Sequence, residues 1–275
     1  MEVKWIVDKH IFKNNKIPRK EFEKLETDLF EFEYIPFMQG GPEDIPFSPT
    51  EPVVVYGTVN AVRNLRSFYG CYFNEFNFKT NVYMSLFGDS SMYLNDDHVY
   101  STFSNIISDP IYYYDLFQKD SLFFRPLDGI KSFTGDVIPK RSIDTDINVM
   151  NNLYNLAPES MILISTPKKI YEESRFLIGN NEIIDYSRYM VDDNMVQDKN
   201  TDTSAIMFAK DIINHTTWTP DDLYTMDIAM TDNGPKIIEL NSFSCAGWYG
   251  MDVHQVIKNV NSIVLENFKK ESQLL

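Results

Sequence analysis

Only two cysteines occur in the 275 residues, Cys71 and Cys245, and without CxxC spacing they exclude both a disulfide framework and a zinc knuckle. The four histidines, His10, His98, His215 and His254, lack HxxxH or HExxH spacing, which leaves histidine-based metal chemistry unsupported. Basic residues are scarce, 25 against 40 acidic ones, and a formal net charge of -15 argues against nucleic acid and anionic membrane as partners. Apolar runs such as residues 161–164 are too short to span a bilayer, and the first eight residues form no signal core, so a cytoplasmic protein is expected. No GxxxxGK[ST] or GxGxxG segment is present, so a nucleotide would have to be gripped by side chains rather than by a glycine-rich backbone cradle. A GxSxG elbow and a Cys/His signature are missing too, which argues against a protein nucleophile.

What is there is ordinary globular material: 43% hydrophobic residues and 14% aromatic, with 20 Phe and 16 Tyr, enough for two cored lobes. Residues 3–7 read as a strand, 19–30 as a charged helix after Pro18, 33–37 as a short strand, and 38–52 as a loop rich in Gly and Pro. Val53-Val54-Val55-Tyr56 reads as a buried strand running into a helix over 58–68. Residues 71–94 look irregular, and 97–117 predict a helix broken at Asp109-Pro110. Strands are expected at 122–125, 161–165, 174–178, 183–189, 224–230 and 236–241, with a closing helix over 253–270. The pattern predicts an α/β (α+β) protein with an N-terminal α/β lobe over residues 1–120 and a strand-rich region over 121–275.

Two alternating strands flank the turn Asp232-Asn233-Gly234, which predicts a hairpin. With a three-residue loop, Thr231 pairs with Pro235 and Asp227 falls opposite Glu239. Asn241 shares their face, while Met226, Ile228, Met230, Ile238 and Leu240 take the other. Like charges placed opposite one another need a cation between them, and hard oxygen ligands suit magnesium. A hydrated polar hairpin is the competing reading.

Cations for an anionic ligand occur at Arg125 and Lys131, around the Pro126 to Gly129 turn, and at Lys168, Lys169 and Arg175, with Glu173 on the strand face of Arg175. A surface ion-pair cluster would use the same residues. Together, Phe124-Arg125-Pro126, Lys131, Phe133-Thr134-Gly135, Glu173-Ser174-Arg175, Asp227 and Glu239-Leu240-Asn241 resemble the ATP-grasp superfamily, in particular its largely phage-associated clade named for one arginine and two lysines. The resemblance implies an ATP-grasp fold whose lobes clasp ATP, and an ATP-dependent carboxylate-amine ligase that forms an acyl-phosphate and releases ADP and phosphate. The acceptor would be a small-molecule amine or a peptide or protein terminus; if phage-encoded, the protein would work in the host cytoplasm. A catalytically silent nucleotide-binding or phage-host interaction module of the same fold is the alternative.

Carried over residue by residue, Lys131 and Lys169, preferred over Lys168, would bind ATP phosphates. Arg125 would touch the transferred phosphoryl group, and Glu173 and Arg175 would line the nucleotide and substrate sides. Ile164, Ser165 and Thr166 would lie at the adenine hinge, and Asp227, Glu239 and Asn241 would hold Mg2+. Cys245 reads as packing. The loop after the metal strand, with Trp248 and Tyr249, either meets the acceptor or packs between lobes. No glycine-rich lid is evident over 136–160.

Overall fold

In the computed structural model, which describes residues 2–10, 17–33 and 45–273, strand β1 (Lys4–Asp8) lies between β2 (Asp28–Phe32) and β3 (Val53–Tyr56) in a parallel sheet. All four β3 side chains are buried, which requires cover on both faces. On one face Trp5, Val7, Val54 and Tyr56 pack against Val256, Ile257, Val260 and Val264 of the last helix. On the other, Ile6, Val53 and Val55 meet Ala61, Val62 and Leu65.

Helix α1 (Arg19–Lys24) ends earlier than the expected residue 30, because Asp28–Phe32 pairs in parallel with β1 and leaves the helical path at Glu26, whose φ is 50°. Pairing with an existing strand overrides local helix propensity here. Of the strand expected at 33–37, Glu33 lies outside any strand and residues 34–37 fall outside the described residues. Helix α2 (Val59–Asn64) follows β3 as expected, though shorter, and the segment thought irregular contains α3 (Thr80–Leu86).

The second sheet runs β4 (Val99–Thr102), β7 (Met161–Ser165), β5 (Ser121–Pro126), β6 (Asp136–Pro139), all antiparallel. Its first strand occupies part of the expected helix. Only α4 (Phe103–Ser108) and α5 (Tyr112–Phe117) are helical there, with the predicted break at Asp109-Pro110 between them. The first strand of this sheet starts at Val99. Helix α6 (Ile143–Tyr154) closes its core with Ile143, Ile147 and Met150, a helical spacing masked in the sequence by the polar residues around it.

The third sheet has the order β10 (Asn194–Asp198), β9 (Glu182–Val191), β8 (Glu172–Gly179), β11 (Leu223–Thr231), β12 (Gly234–Ser242), antiparallel throughout. Phe176, Ile178, Met226 and Ile228 cover one face together with α7 (Thr203–His215). On the opposite face, Leu177 and Leu223 pack into the first core beside α8 (Val253–Ser272). Further along that same face the side chains become Arg175 and Asp227, directly paired across β8 and β11. One face is thus apolar where it meets the N-terminal lobe and ionic where it meets the cleft. No helix among the described residues is long and apolar enough to cross a membrane.

Candidate active site

The hairpin β11–β12 brings Asp227 opposite Glu239, as expected, by a different route. Its loop has two residues, since Thr231 pairs with Gly234 rather than Pro235, and a bulge then moves the register from Ile228↔Ile237 to Asp227↔Glu239. The bulge changes the faces: Ile237, not Ile238, enters the core, and Ile238 lines the cleft, where its carbonyl accepts a 3.2 Å hydrogen bond from Arg125 Nη1.

Three cations hold the two carboxylates. Arg175 donates from Nε and Nη2 to the two oxygens of Asp227, both at 2.7 Å, and from Nη1 to the Gly247 carbonyl at 3.2 Å. Arg125 Nη2 donates to Glu239 Oε2 at 2.9 Å, and Lys131 Nζ to Glu239 Oε1 at 2.7 Å. Asn241 Nδ2 adds a 2.9 Å bond to Glu239 Oε1. Lys131 reaches this position from a tight turn in which its own φ is 55°, an uncommon value for a side-chain-bearing residue. Asp128 ties the turn by accepting from the Ser132 amide at 3.0 Å and the Ser132 hydroxyl at 2.5 Å.

Burial disfavours the Glu239 carboxylate, but Lys131 and Arg125 outweigh it and hold the group well below the usual carboxylate range. Burial likewise favours a neutral Asp227 carboxyl. It also disfavours charge on Arg175, which the same contact with Asp227 more than restores, so the two partners pull in opposite senses. The bidentate geometry decides for the ion pair, because two guanidinium donors at 2.7 Å need a carboxylate that accepts twice. Tyr189 and Tyr249 stack on each other at 4.7 Å and lie 5.7 and 5.0 Å from the Arg175 guanidinium. Burial, reinforced by Asp227 and Glu239, raises the Glu173 carboxyl against a 2.6 Å hydrogen bond from the Tyr189 hydroxyl.

Two cavities meet on this cluster. The larger, about 510 Å3, lies between the second and third sheets and combines apolar walls from Leu94, Phe123, Phe133 and Ile238 with Lys168 and Glu173. The smaller, about 250 Å3, opens toward the N-terminal lobe and is lined by Val59, Phe78, Asp128, Arg175, Asn241 and Tyr249 among others. Arg125, Lys131 and Glu239 line both. Glu173 and Arg175 thus face different cavities, and Asp227, 1% exposed, lines neither.

Several expected site residues stand elsewhere. Ile164 is buried in the core of the second lobe, Ser165 is buried with its hydroxyl bonded to Asn95 at 3.0 Å, and Thr166 engages Asp97. The wall beside them is formed by the following residues Pro167, Lys168 and Ile170. Lys168, not Lys169, lines the larger cavity, and it is held by Asp97 Oδ1 at 2.7 Å. Lys169 instead lies over the Tyr171 ring at 4.4 Å, outside both cavities. In the loop after β12, Trp248 packs in the first core while Tyr249 reaches the smaller cavity. Cys245 lines that cavity, and burial raises its thiol, which disfavours the thiolate.

For magnesium, Glu239 and Asn241 carry the hard oxygen donors the ion takes and line the smaller cavity, but Glu239 would have to exchange its bonds to Arg125, Lys131 and Asn241 for the ion. Asp227 lines neither cavity, and both its oxygens are committed to Arg175. Among the described residues no group of three or more His, Cys, Asp or Glu side chains is disposed to hold a metal ion.

Similarity to solved structures defines the fold as ATP-grasp. D-alanine–D-alanine ligase from Bacillus anthracis, solved with ATP, aligns with a TM-score of 0.62 at 9% identity, over 98% of this chain and 99% of that one. D-cycloserine synthetase DcsG gives 0.59 at 10% identity, over 94% and 99%, and the ATP-grasp ligase PsnB with its minimal precursor gives 0.57 at 8%, over 96% and 99%. A family model matches residues 105–259, that of the ATP-grasp domain in the second family of the clade named for one arginine and two lysines, and the chain belongs to that family. Comparison with curated proteins gave no sequence match. The superfamily generally uses ATP and magnesium.

Proposed function

We propose that the protein is an ATP-dependent carboxylate-amine ligase acting through an acyl-phosphate. The observation that carries this reading is the junction of the two cavities at Arg125, Lys131 and Glu239. A nucleotide in the larger cavity would direct its phosphates to that junction, where a carboxylate in the smaller cavity can reach them. The apolar walls of the larger cavity suit a purine, and Glu173, facing the same space, suits a ribose hydroxyl.

The ion pairs fit a device that exchanges partners. Arg125 and Lys131, now neutralised by Glu239, are the cations that would turn to the phosphates. Glu239 and Asn241 would hold magnesium, which when bound withdraws charge from the phosphate oxygens. A substrate carboxylate oxygen attacks the γ-phosphorus, and the bond to the ADP oxygen breaks. An amine nitrogen then attacks the acyl carbon and phosphate leaves, the amine losing a proton. Arg125 and Lys131 would offset charge on the transferred group, an electrostatic and positioning role without a protein nucleophile. Lys168 takes the place of Lys169 as the second phosphate-binding lysine, and Asp227 positions Arg175 rather than holding metal.

The ion pairing that saturates both carboxylates is also what a catalytically silent nucleotide-binding module would retain. ADP release separates the two readings. A ligase releases ADP with ATP, magnesium, a carboxylate and an amine together, at a rate that falls when the carboxylate is omitted. Magnesium-dependent ATP binding with no ADP across a panel of amino acids and short peptides would favour the silent module.

A further inference from the structure

Outside the cleft, a third cavity of about 490 Å3 opens at the surface, lined by Arg63, Arg66, Phe73, Glu75 and Asp221 among others. It adjoins the smaller cavity across one side chain, since Phe73 lines both. Beside Phe73 the wall is closely packed. Gly129, on the wall of the smaller cavity, sits so close to the Glu75 backbone that a Cβ there would stand 2.6 Å from the Glu75 carbonyl oxygen.

The charges of this outer cavity are unevenly matched. Arg63 pairs with Glu75 at 3.4 Å, while Arg66 is exposed and has no acidic partner among the described residues. In a chain with a formal net charge of -15, an unpaired guanidinium on a cavity wall is a receptor for an anion supplied from outside. The other acid, Asp221, opposes such an anion only weakly near neutral pH, because burial pushes its carboxyl up to about 7.

We propose that this outer cavity is a second subsite for the acceptor, taking the anionic distal end of an extended, peptide-like substrate whose amine lies in the smaller cavity. The inference rests on the ligase reading. A single small amino acid fits within the smaller cavity and has no need to pass Phe73. An extended chain, at about 3.3 Å per residue, would have to pass Phe73, the one side chain among the described residues that lines both cavities, to bring its terminal carboxylate to Arg66.

The test is equilibrium binding to the full chain, with a non-hydrolysable ATP analogue and magnesium present, of alanine, dialanine, trialanine and trialanine amide. Affinity should rise with length, and trialanine should bind at least threefold tighter than its amide. Arg66→Ala should abolish that preference for the free carboxylate, and Arg66→Lys should keep part of it. Equal affinity for trialanine and its amide in the wild type, affinity independent of length, or a preference that survives in Arg66→Ala would each overturn the proposal. Magnesium-dependent nucleotide binding, measured on the same samples, belongs to the ligase reading alone, so the two failures are distinguishable.

Discussion

Asp227→Asn removes one charge and almost no volume from a pair whose side chains are only 8% and 2% exposed. Arg175 is then left buried with a neutral amide where a bidentate carboxylate stood. Breaking a buried pair in this way costs about 3–5 kcal/mol, because the remaining charge stays desolvated. Unfolding entropy of about 2.1 cal/mol/K per residue gives about 0.6 kcal/mol/K for 275 residues, so the melting temperature should fall by about 5–9 °C. Replacing both partners by leucine should recover most of that loss, since an apolar pair of similar volume carries no desolvation penalty. Scanning calorimetry of the wild type, the single variant and the double variant, without ligand, reads all three values. A shift below about 2 °C for Asp227→Asn would refute the reasoning. It would mean that the carboxyl is already neutral in the folded protein and that burial, not Arg175, sets its state.

Further outcomes follow from the site. Lys168→Ala should weaken ATP binding at least fivefold in calorimetry and Lys169→Ala less than twofold, since only Lys168 lines the larger cavity; the reverse order would restore Lys169 as the phosphate ligand. Asp221, raised from 3.8 to about 7, binds a proton more tightly folded than unfolded, so its burial weakens the fold as pH rises from about 4 to about 7. At about 1.4 kcal/mol per unit the effect is at most about 4 kcal/mol, and urea titrations should find the stability of Asp221→Asn flatter across that interval than the wild type's. Equal slopes would refute it.

The acidic hairpin was the legible part of the candidate site. Alternation in β11 and β12 placed Asp227, Glu239 and Asn241 together because a half-buried hairpin writes its faces into the sequence with period two. The turn and the bulge escaped, and their offsets cancelled at Asp227 and Glu239, so the right pair emerged from a wrong loop. What the strands could not disclose was which cation meets which carboxylate. Arg175 lies opposite Asp227 because β8 and β11 are neighbours, a tertiary pairing with no local signal, and it makes Asp227 an ion-pair partner. Lys168 and Lys169 are adjacent, and the path of the chain between sheets decides which reaches the cleft. Strand β4 and helix α6 were missed because Val99–Thr102 alternates too briefly, and because Ile143, Ile147 and Met150 are diluted by Asn and Asp.

In the proposed ligase, magnesium and ATP meet the protein at Glu239, at the junction of the two cavities. Calorimetric titration of ATP into wild type and Glu239→Ala, with magnesium and with chelator, tests it most directly. Binding by the wild type should depend on magnesium and weaken at least tenfold in the variant, about 1.4 kcal/mol. ATP binding that is indifferent to magnesium and unchanged in Glu239→Ala would contradict it.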